Sequence, residues 1–279
     1  MFTPAPELLR LGLLGAGRVA QALAPALAAA GHRVVFVASR TPDPAAALAA
    51  TLPGCQALPE AALRQALPPV DMYLLAVPDA AVPTLLAGLP WPPGAVVAHL
   101  AGALPLAVFG VAPQVRGGVL YPLQTFSPGR AIDWPTVPLF VEAADPATEG
   151  RLLALAASLS RQVQVVGSAQ RLRLHLGAVW ASNFTNHLLG ISQALLAEAG
   201  LPFGLLHPLV RETVAKALAA DPSAFAVQTG PALRHDAPTL AAHAAALAGH
   251  PRWQALYAAL SASIQAAGAT GPGPEAPGG

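Results

Sequence analysis

The sequence predicts an α/β protein, with an N-terminal Rossmann-type parallel sheet domain followed by an all-α C-terminal domain. Three observations carry that expectation. Short apolar runs alternate with helical stretches through the first half, a G-x-G-x-x-A turn follows the first run, and after residue 168 long helical patterns take over.

Taken in order, the first run is LRLGLLG (9–15), which leads through the glycine turn into a helical stretch over 17–30. The runs HRVVFVASR (32–40), DMYLLAVPD (71–79) and AVVAHLAG (95–102) follow, then GGVLYPLQ (117–124), VPLFVEA (137–143) and RQVQVVG (161–167). Apolar runs of this length, with helices between the first four, read as parallel strands buried on both faces. Helices are expected over 169–199, 205–220 and 236–266. The domains are therefore placed at 1–168 and 169–267, with GATGPGPEAPGG (268–279) as a disordered tail because it has no apolar periodicity. No internal repeat is visible.

Composition narrows the function. The 279 residues hold 15 Lys plus Arg against 14 Asp plus Glu, and the absence of a basic run argues against nucleic acid as a partner. The 54% apolar fraction is carried mostly by Ala, and no run reaches the roughly 18 residues of a spanning helix, so no membrane partner is expected. MFTPAPELLR does not read as a signal peptide, which points to a cytoplasmic protein. Cys55 stands alone, so neither an internal disulfide nor a cysteine metal cluster is expected. With 10% charged residues and 30 prolines, the surface is rich in Ala and Pro, and an oligomer would hide part of it.

Gly15 and Gly17 allow the tight turn and the close approach of a pyrophosphate, and Ala20 allows close packing of helix on strand. The helix that opens at Arg18 and Val19 would aim its amides at the phosphates. The second strand ends in Ser39-Arg40-Thr41, where an NAD site usually carries a carboxylate. A hydroxyl and a guanidinium suit a 2′-phosphate, which favours NADP(H); the alternative is that Arg40 is an ordinary strand-end charge. Ala76, Val77 and Pro78 end another strand and would line the nicotinamide side, with Asp79 as a cap of the next helix.

GLLGAGRVAQAL, AVPD, HLAG, YPLQTFS, ASNFTNHL and QTGPALRHD together resemble the bacterial Rossmann-like family that carries the domain of unknown function DUF2520. That family is similar in arrangement to pyrroline-5-carboxylate reductase, F420-dependent NADP reductase and ketopantoate reductase. The resemblance implies an NADP-binding domain, a helical domain that forms much of a homodimer, and an active site in the cleft between the two. The family's usual HPLQTF begins here with Tyr121, so a role for His does not carry over, although a phenol can still donate a hydrogen bond.

A hydride acceptor needs a proton donor and groups to hold its substituents. LHLGAVWASNFTNHLLG is an apolar helix with an unusual polar content. His175, Ser182 and Asn186 fall at spacings that share a face, with Asn183 alongside. Related hydroxyacid and ketopantoate reductases place a catalytic Lys four residues before an Asn; from Asn183 that position is Val179. His175 is the candidate proton donor instead, with Asn183 and Ser182 orienting the acceptor. The alternative is a core hydrogen bond for His175 and an amide network for helix packing. Lys216, the lone lysine, stands four after Glu212 and reads as a surface ion pair or, if buried beside Thr213, as a further acid.

Thr229 and Arg234, in QTGPALRHD, are candidates to grip a substrate carboxylate, with Asp236 as cap of the following helix and an Arg234–Asp236 clasp as the alternative. Gln124 and Thr125 are placed at a strand end beside the nicotinamide, as are His99 to Gly102. The other histidines show no ligand spacing, and no metal is expected. The expected function is NADP-dependent reduction of a small carboxylate-bearing ketone or imine. The rival is a non-catalytic NADP(H) sensor or scaffold.

Overall fold

The computed structural model describes residues 8–269. The chain divides between Asn183 and Phe184 into two compact units. The first holds eight strands: β1 (Arg10–Leu14), β2 (Arg33–Ser39), β3 (Gln56–Pro59), β4 (Met72–Leu75), β5 (Val96–His99), β6 (Arg116–Pro122), β7 (Leu139–Ala143) and β8 (Val163–Val165). They form one sheet in the order β3-β2-β1-β4-β5-β6-β7-β8. Its helices are α1 (Arg18–Ala29), α2 (Pro42–Ala50), α3 (Glu60–Leu63), α4 (Val82–Gly88), α5 (Pro146–Leu159) and α6 (Ser168–Ala178).

The period-2 alternation of strands sorts the apolar side chains onto two faces. Leu11, Leu13, Met72, Leu74 and Ala98 pack with Leu23 and Leu27 of α1, Leu48 of α2 and Leu152 and Leu155 of α5. Leu14, Tyr73, Leu75 and Val97 turn the other way, onto Leu63 of α3 and Val82, Leu85 and Leu86 of α4. Runs that are apolar at every position are what such a doubly covered sheet requires.

Two features depart from the expected parallel sheet. β6 and β7 are antiparallel, because the chain between them carries only a 3₁₀ turn at Trp134–Thr136 and no crossover helix to return it to the starting edge. β3 was not expected at all: QALP is a short, mostly exposed edge strand with no apolar run, paired in parallel with β2.

The second unit holds α7 (Thr185–Glu198), α8 (His207–Ala219), α9 (Ala237–Ala246) and α10 (Pro251–Ala269). The single helix expected over 236–266 is in fact α9 and α10, since Pro251 cannot donate to a continuing ladder and is tolerated at the start of a new helix. Asp236 caps α9 as expected, accepting from the Thr239 N–H at 3.2 Å and the Thr239 hydroxyl at 2.8 Å. The expected tail falls, from residue 270, outside the described residues. Among the described residues no helix is long and apolar enough to cross a membrane.

Two histidines are built into the first unit as neutral bases. His32 Nδ1 accepts the Leu9 N–H at 3.1 Å, and Nε2 faces the Ser158 hydroxyl at 2.9 Å, which links the start of β1 to α5. His99 is fully buried, stacks on Phe109 and accepts the Ala101 N–H at Nδ1. Burial lowers the pKa of both, that of His99 to about 3, with the nearby Arg171 charge as a second cause. The unfolded chain takes up these protons near pH 6.5 and the folded chain only below it, His99 far below. Their contribution to stability is therefore whole above that pH and is lost as pH falls, by up to about 1.4 kcal/mol per pH unit for each histidine. Urea unfolding at pH 7 and pH 5 should show a clear fall in midpoint, and His99→Leu should flatten it; equal slopes in the two proteins would contradict this account.

Candidate functional site

Gly15 sits with φ +109°, and a Cβ there would stand 2.1 Å from the Ala76 carbonyl oxygen. Only glycine lets this turn pass between the ends of β2 and β4, where the Gly15 N–H donates to Ala38 at 2.7 Å. Gly17, the N-cap of α1, offers no side chain to the helix end, which leaves the first-turn amides at Arg18 and Val19 open to an anion. A cavity of about 240 Å³ lies above this turn. Gly15, Gly17, Ser39, Arg40, Ala76, Val77 and Pro78 all line it. Arg18 and Val19, the first two residues of α1, follow directly on this turn.

Thr41, which ends the Ser39-Arg40-Thr41 run, also lines this cavity, as do Pro44 and Glu60, which sequence reasoning passed over. Glu60 opens α3 directly after the unforeseen edge strand, so no motif pointed to it. The Ser39 hydroxyl lies 3.3 Å from the Thr41 N–H and 3.4 Å from its hydroxyl, which turns the chain at the end of β2 and leaves Arg40 exposed at the rim. The pieces fit a dinucleotide: a side-chain-free turn, an uncapped helix N-terminus, and a guanidinium with two hydroxyls in the place of the usual ribose carboxylate.

A second cavity, of about 320 Å³, lies in the same unit. Tyr121, Gln124 and Thr125 come to it from β6 and the turn beyond, and His175, Val179, Ser182 and Asn183 from the helix side. The Tyr121 hydroxyl lies 3.0 Å from His175 Nδ1, with the two rings nearly perpendicular at 5.9 Å. Burial raises the phenol pKa, opposed by the charge of Arg171 and aided by that of Asp79. Gln124 turns its side-chain oxygen onto the Thr125 N–H at 2.7 Å.

Helix α6 is held to the sheet by a buried ion pair. Arg171, 1% exposed, binds the Glu142 carboxylate of β7 and the Leu104 carbonyl. Glu142 also accepts the Ser168 N–H at 2.9 Å, and so caps the helix from outside it. One turn further on, α6 delivers His175 to Tyr121. The helix then widens into a π turn over Val179–Phe184, a feature common at functional sites. Ser182 and Asn183, inside that turn, line the cavity with His175, and Asn186 lies beyond it in α7 of the second unit.

Several residues have plainer roles. His99 makes the strand-end hydrogen bond described above and lines neither cavity. Asp79 caps nothing: the turn it opens and α4 have no side-chain cap, and its charge acts on Tyr121 instead. Thr229 and Arg234 belong to the second unit, where the Asp236 carboxylate is committed to Thr239, with Arg234 among the charges that lower its pKa. Lys216 is half-buried in the last turn of α8, where a cation suits the helix end. Cys55 is half-buried with its thiol raised to about 11, which leaves little thiolate. Among the described residues no group of His, Cys, Asp or Glu could hold a metal ion.

Residues 10–102 match the family model "NADP oxidoreductase coenzyme F420-dependent", and residues 137–264 match the domain of unknown function DUF2520. No curated protein matches the sequence. BF3122 of Bacteroides fragilis, whose name assigns it provisionally as an NADP oxidoreductase, is 36% identical; the match covers 94% of this chain and 100% of that one, at TM-score 0.85. A reductive aminase from Aspergillus terreus, solved with NADPH4, cyclohexanone and allyl amine, shares the fold at 19% identity over 96% of each chain, TM-score 0.64. So does 1-pyrroline-5-carboxylate reductase from Streptococcus pyogenes, at 12% identity over 93% of this chain and 99% of that one, TM-score 0.59. Motifs, sheet order and the near full-length likeness to BF3122 agree, and the chain belongs to the family that joins an NADP-binding Rossmann domain to the DUF2520 domain.

Proposed function

We propose that the protein is an NADP-dependent oxidoreductase that reduces a small ketone or imine bearing a carboxylate, of the ketopantoate or pyrroline-5-carboxylate kind. The observation that carries this reading is the Tyr121–His175 pair with Ser182 and Asn183 on one cavity, in the same unit as a cradle shaped for a dinucleotide. Both cavities gather residues from the carboxyl ends of the parallel strands β1, β2, β4 and β6, where open α/β sheets bind their ligands. The relatives named for NADP chemistry support the same reading.

NADP(H), bound with its pyrophosphate at the α1 N-terminus, supplies the hydride. The chain's own groups do the rest. His175 gives a proton to the oxygen or nitrogen of the acceptor, and Asn183 and Ser182 hold that atom through neutral hydrogen bonds. Gln124 and Thr125 bound the far side. Arg234 and Thr229, in the second unit, are the proposed grip on a substrate carboxylate. Arg40, Ser39 and Thr41 favour a 2′-phosphate over a free ribose hydroxyl.

We further propose a homodimer. Leu176 of α6, Leu188 and Leu195 of α7, and Leu209 and Leu218 of α8 are exposed, Leu218 to 83%, and full burial of a fully exposed leucine is worth about 1.5–3 kcal/mol, in proportion less for the others. No nucleic acid or membrane enters the reading.

Titration with NADPH and NADH should show tighter binding of NADPH, and Arg40→Ala should weaken NADPH about tenfold to a hundredfold while leaving NADH nearly unchanged. His175→Ala should lower kcat about 10²–10⁴-fold on a responsive keto acid or imine with NADPH affinity intact. NADPH binding with no turnover on any such compound would favour the sensor reading. Light scattering after gel filtration should give twice the 28.2 kDa chain mass; a monomer at micromolar concentration would remove the dimer.

A further inference from the structure

Gly102 follows β5, and its backbone is outside the left-handed region, so its conformation alone would tolerate a side chain. Space does not. A Cβ there would stand 2.6 Å from His175 Nδ1, 2.8 Å from His175 Cγ and 2.8 Å from Tyr121 Cζ. The glycine is thus demanded by the two rings whose polar atoms meet at 3.0 Å. Arg171, whose charge reaches the phenol, is committed to Glu142 and the Leu104 carbonyl, which leaves Tyr121 to His175. With Nδ1 engaged, Nε2 is the remaining nitrogen of a ring that lines the cavity.

We propose that Tyr121 and Gly102 are positioning residues for a proton donor at His175: the phenol oxygen holds Nδ1, the missing side chain at Gly102 lets the rings meet, and Nε2 serves the cavity. This rests on the reductase reading above. In the charged imidazole, Nδ1–H donates to the Tyr121 oxygen and the Nε2 proton passes to the oxygen or nitrogen of the acceptor, whose carbon takes its hydride from NADPH. The electron pair of the broken N–H bond stays on Nε2. The ring ends neutral, its remaining proton still on Nδ1 and still donated to the phenol, and water restores the proton on Nε2. One hydrogen bond thus holds the ring on both sides of the transfer, and with the phenol oxygen as its acceptor the neutral ring keeps its proton on Nδ1.

The test is ¹⁵N NMR of the full chain labelled at histidine, with His175→Ala to assign the signal, together with steady-state kinetics. The neutral His175 ring of the wild type should carry its proton on Nδ1. Tyr121→Phe removes one oxygen and keeps the ring, and should return His175 to the tautomer mixture of a free imidazole. It should also lower kcat about tenfold or more, with NADPH affinity and KM changed less than about twofold. Gly102→Ala, with the phenol intact, should give the same spectral change, and the double variant should be no worse than the more impaired single one. A His175 signal indifferent to Tyr121→Phe, or kcat unchanged in that variant, would overturn the proposal even if Gly102→Ala failed to fold. The expected tautomer in a wild type that reduces nothing would support the ring geometry and overturn the reductase reading instead.

Discussion

The buried contact between Arg171 and Glu142 holds the arrangement of the site together. α6 opens after Gly167, which has no side chain to cap it, and the carboxylate that takes the Ser168 N–H comes from β7 of the sheet. The same carboxylate neutralises Arg171, and the guanidinium reaches on to the Leu104 carbonyl in the segment after β5. Removing either partner would strand a charge out of water, at a cost of about 3–5 kcal/mol. Helix, sheet and loop are joined at one point, and the imidazole one turn along inherits its position from that junction. Leu174, on the same helix, packs on the cluster that holds Tyr121 and Phe140, so apolar contact and ion pair act together on α6.

Much of this was legible in the sequence because it rests on local rules. The glycine turn, the buried strands and the guanidinium after β2 are short-range patterns, and the structure has them where the pattern put them. The rest depends on partners far along the chain. β3 is an edge strand too short and too polar to show a period, and Glu60 was hidden with it. The antiparallel step at β7 depends on what is missing between two strands, a crossover helix. Asp79 had the spacing of a cap and no bond to show for it. The π turn was hidden too: a face drawn at 3.6 residues per turn assumes a regular helix through Val179–Phe184, and no local pattern announces the wider turn there.

The lining of the second cavity has a consistent chemical character. It holds a phenol, an imidazole, two amides and two hydroxyls, with neither lysine nor carboxylate among them. Fixed charges near the site lie behind it or at its margin: Arg171 is matched by Glu142, and Asp79 lies just past the wall of the nucleotide cavity. Such a pocket recognises by hydrogen-bond direction more than by charge. Each of its amides and hydroxyls can present either a donor or an acceptor to whatever occupies the cavity.

The return from β6 to β7 has a further consequence. Its neck is closed by the Leu123 N–H on the Pro138 carbonyl at 2.9 Å, continuing the ladder of the two strands, and the segment is pinned again where the Pro135 carbonyl accepts the Arg161 N–H at 3.1 Å and Ile132 and Trp134 pack on the core. The free energy of closing such a loop rises only as the logarithm of its length, about 0.6 kcal/mol for each doubling. Gln124 and Thr125 sit just inside that neck. Insertions and deletions in the exposed stretch 127–131 just beyond them change only the span between that neck and the anchor at Ile132, and leave the sheet register and the ion pair under α6 untouched.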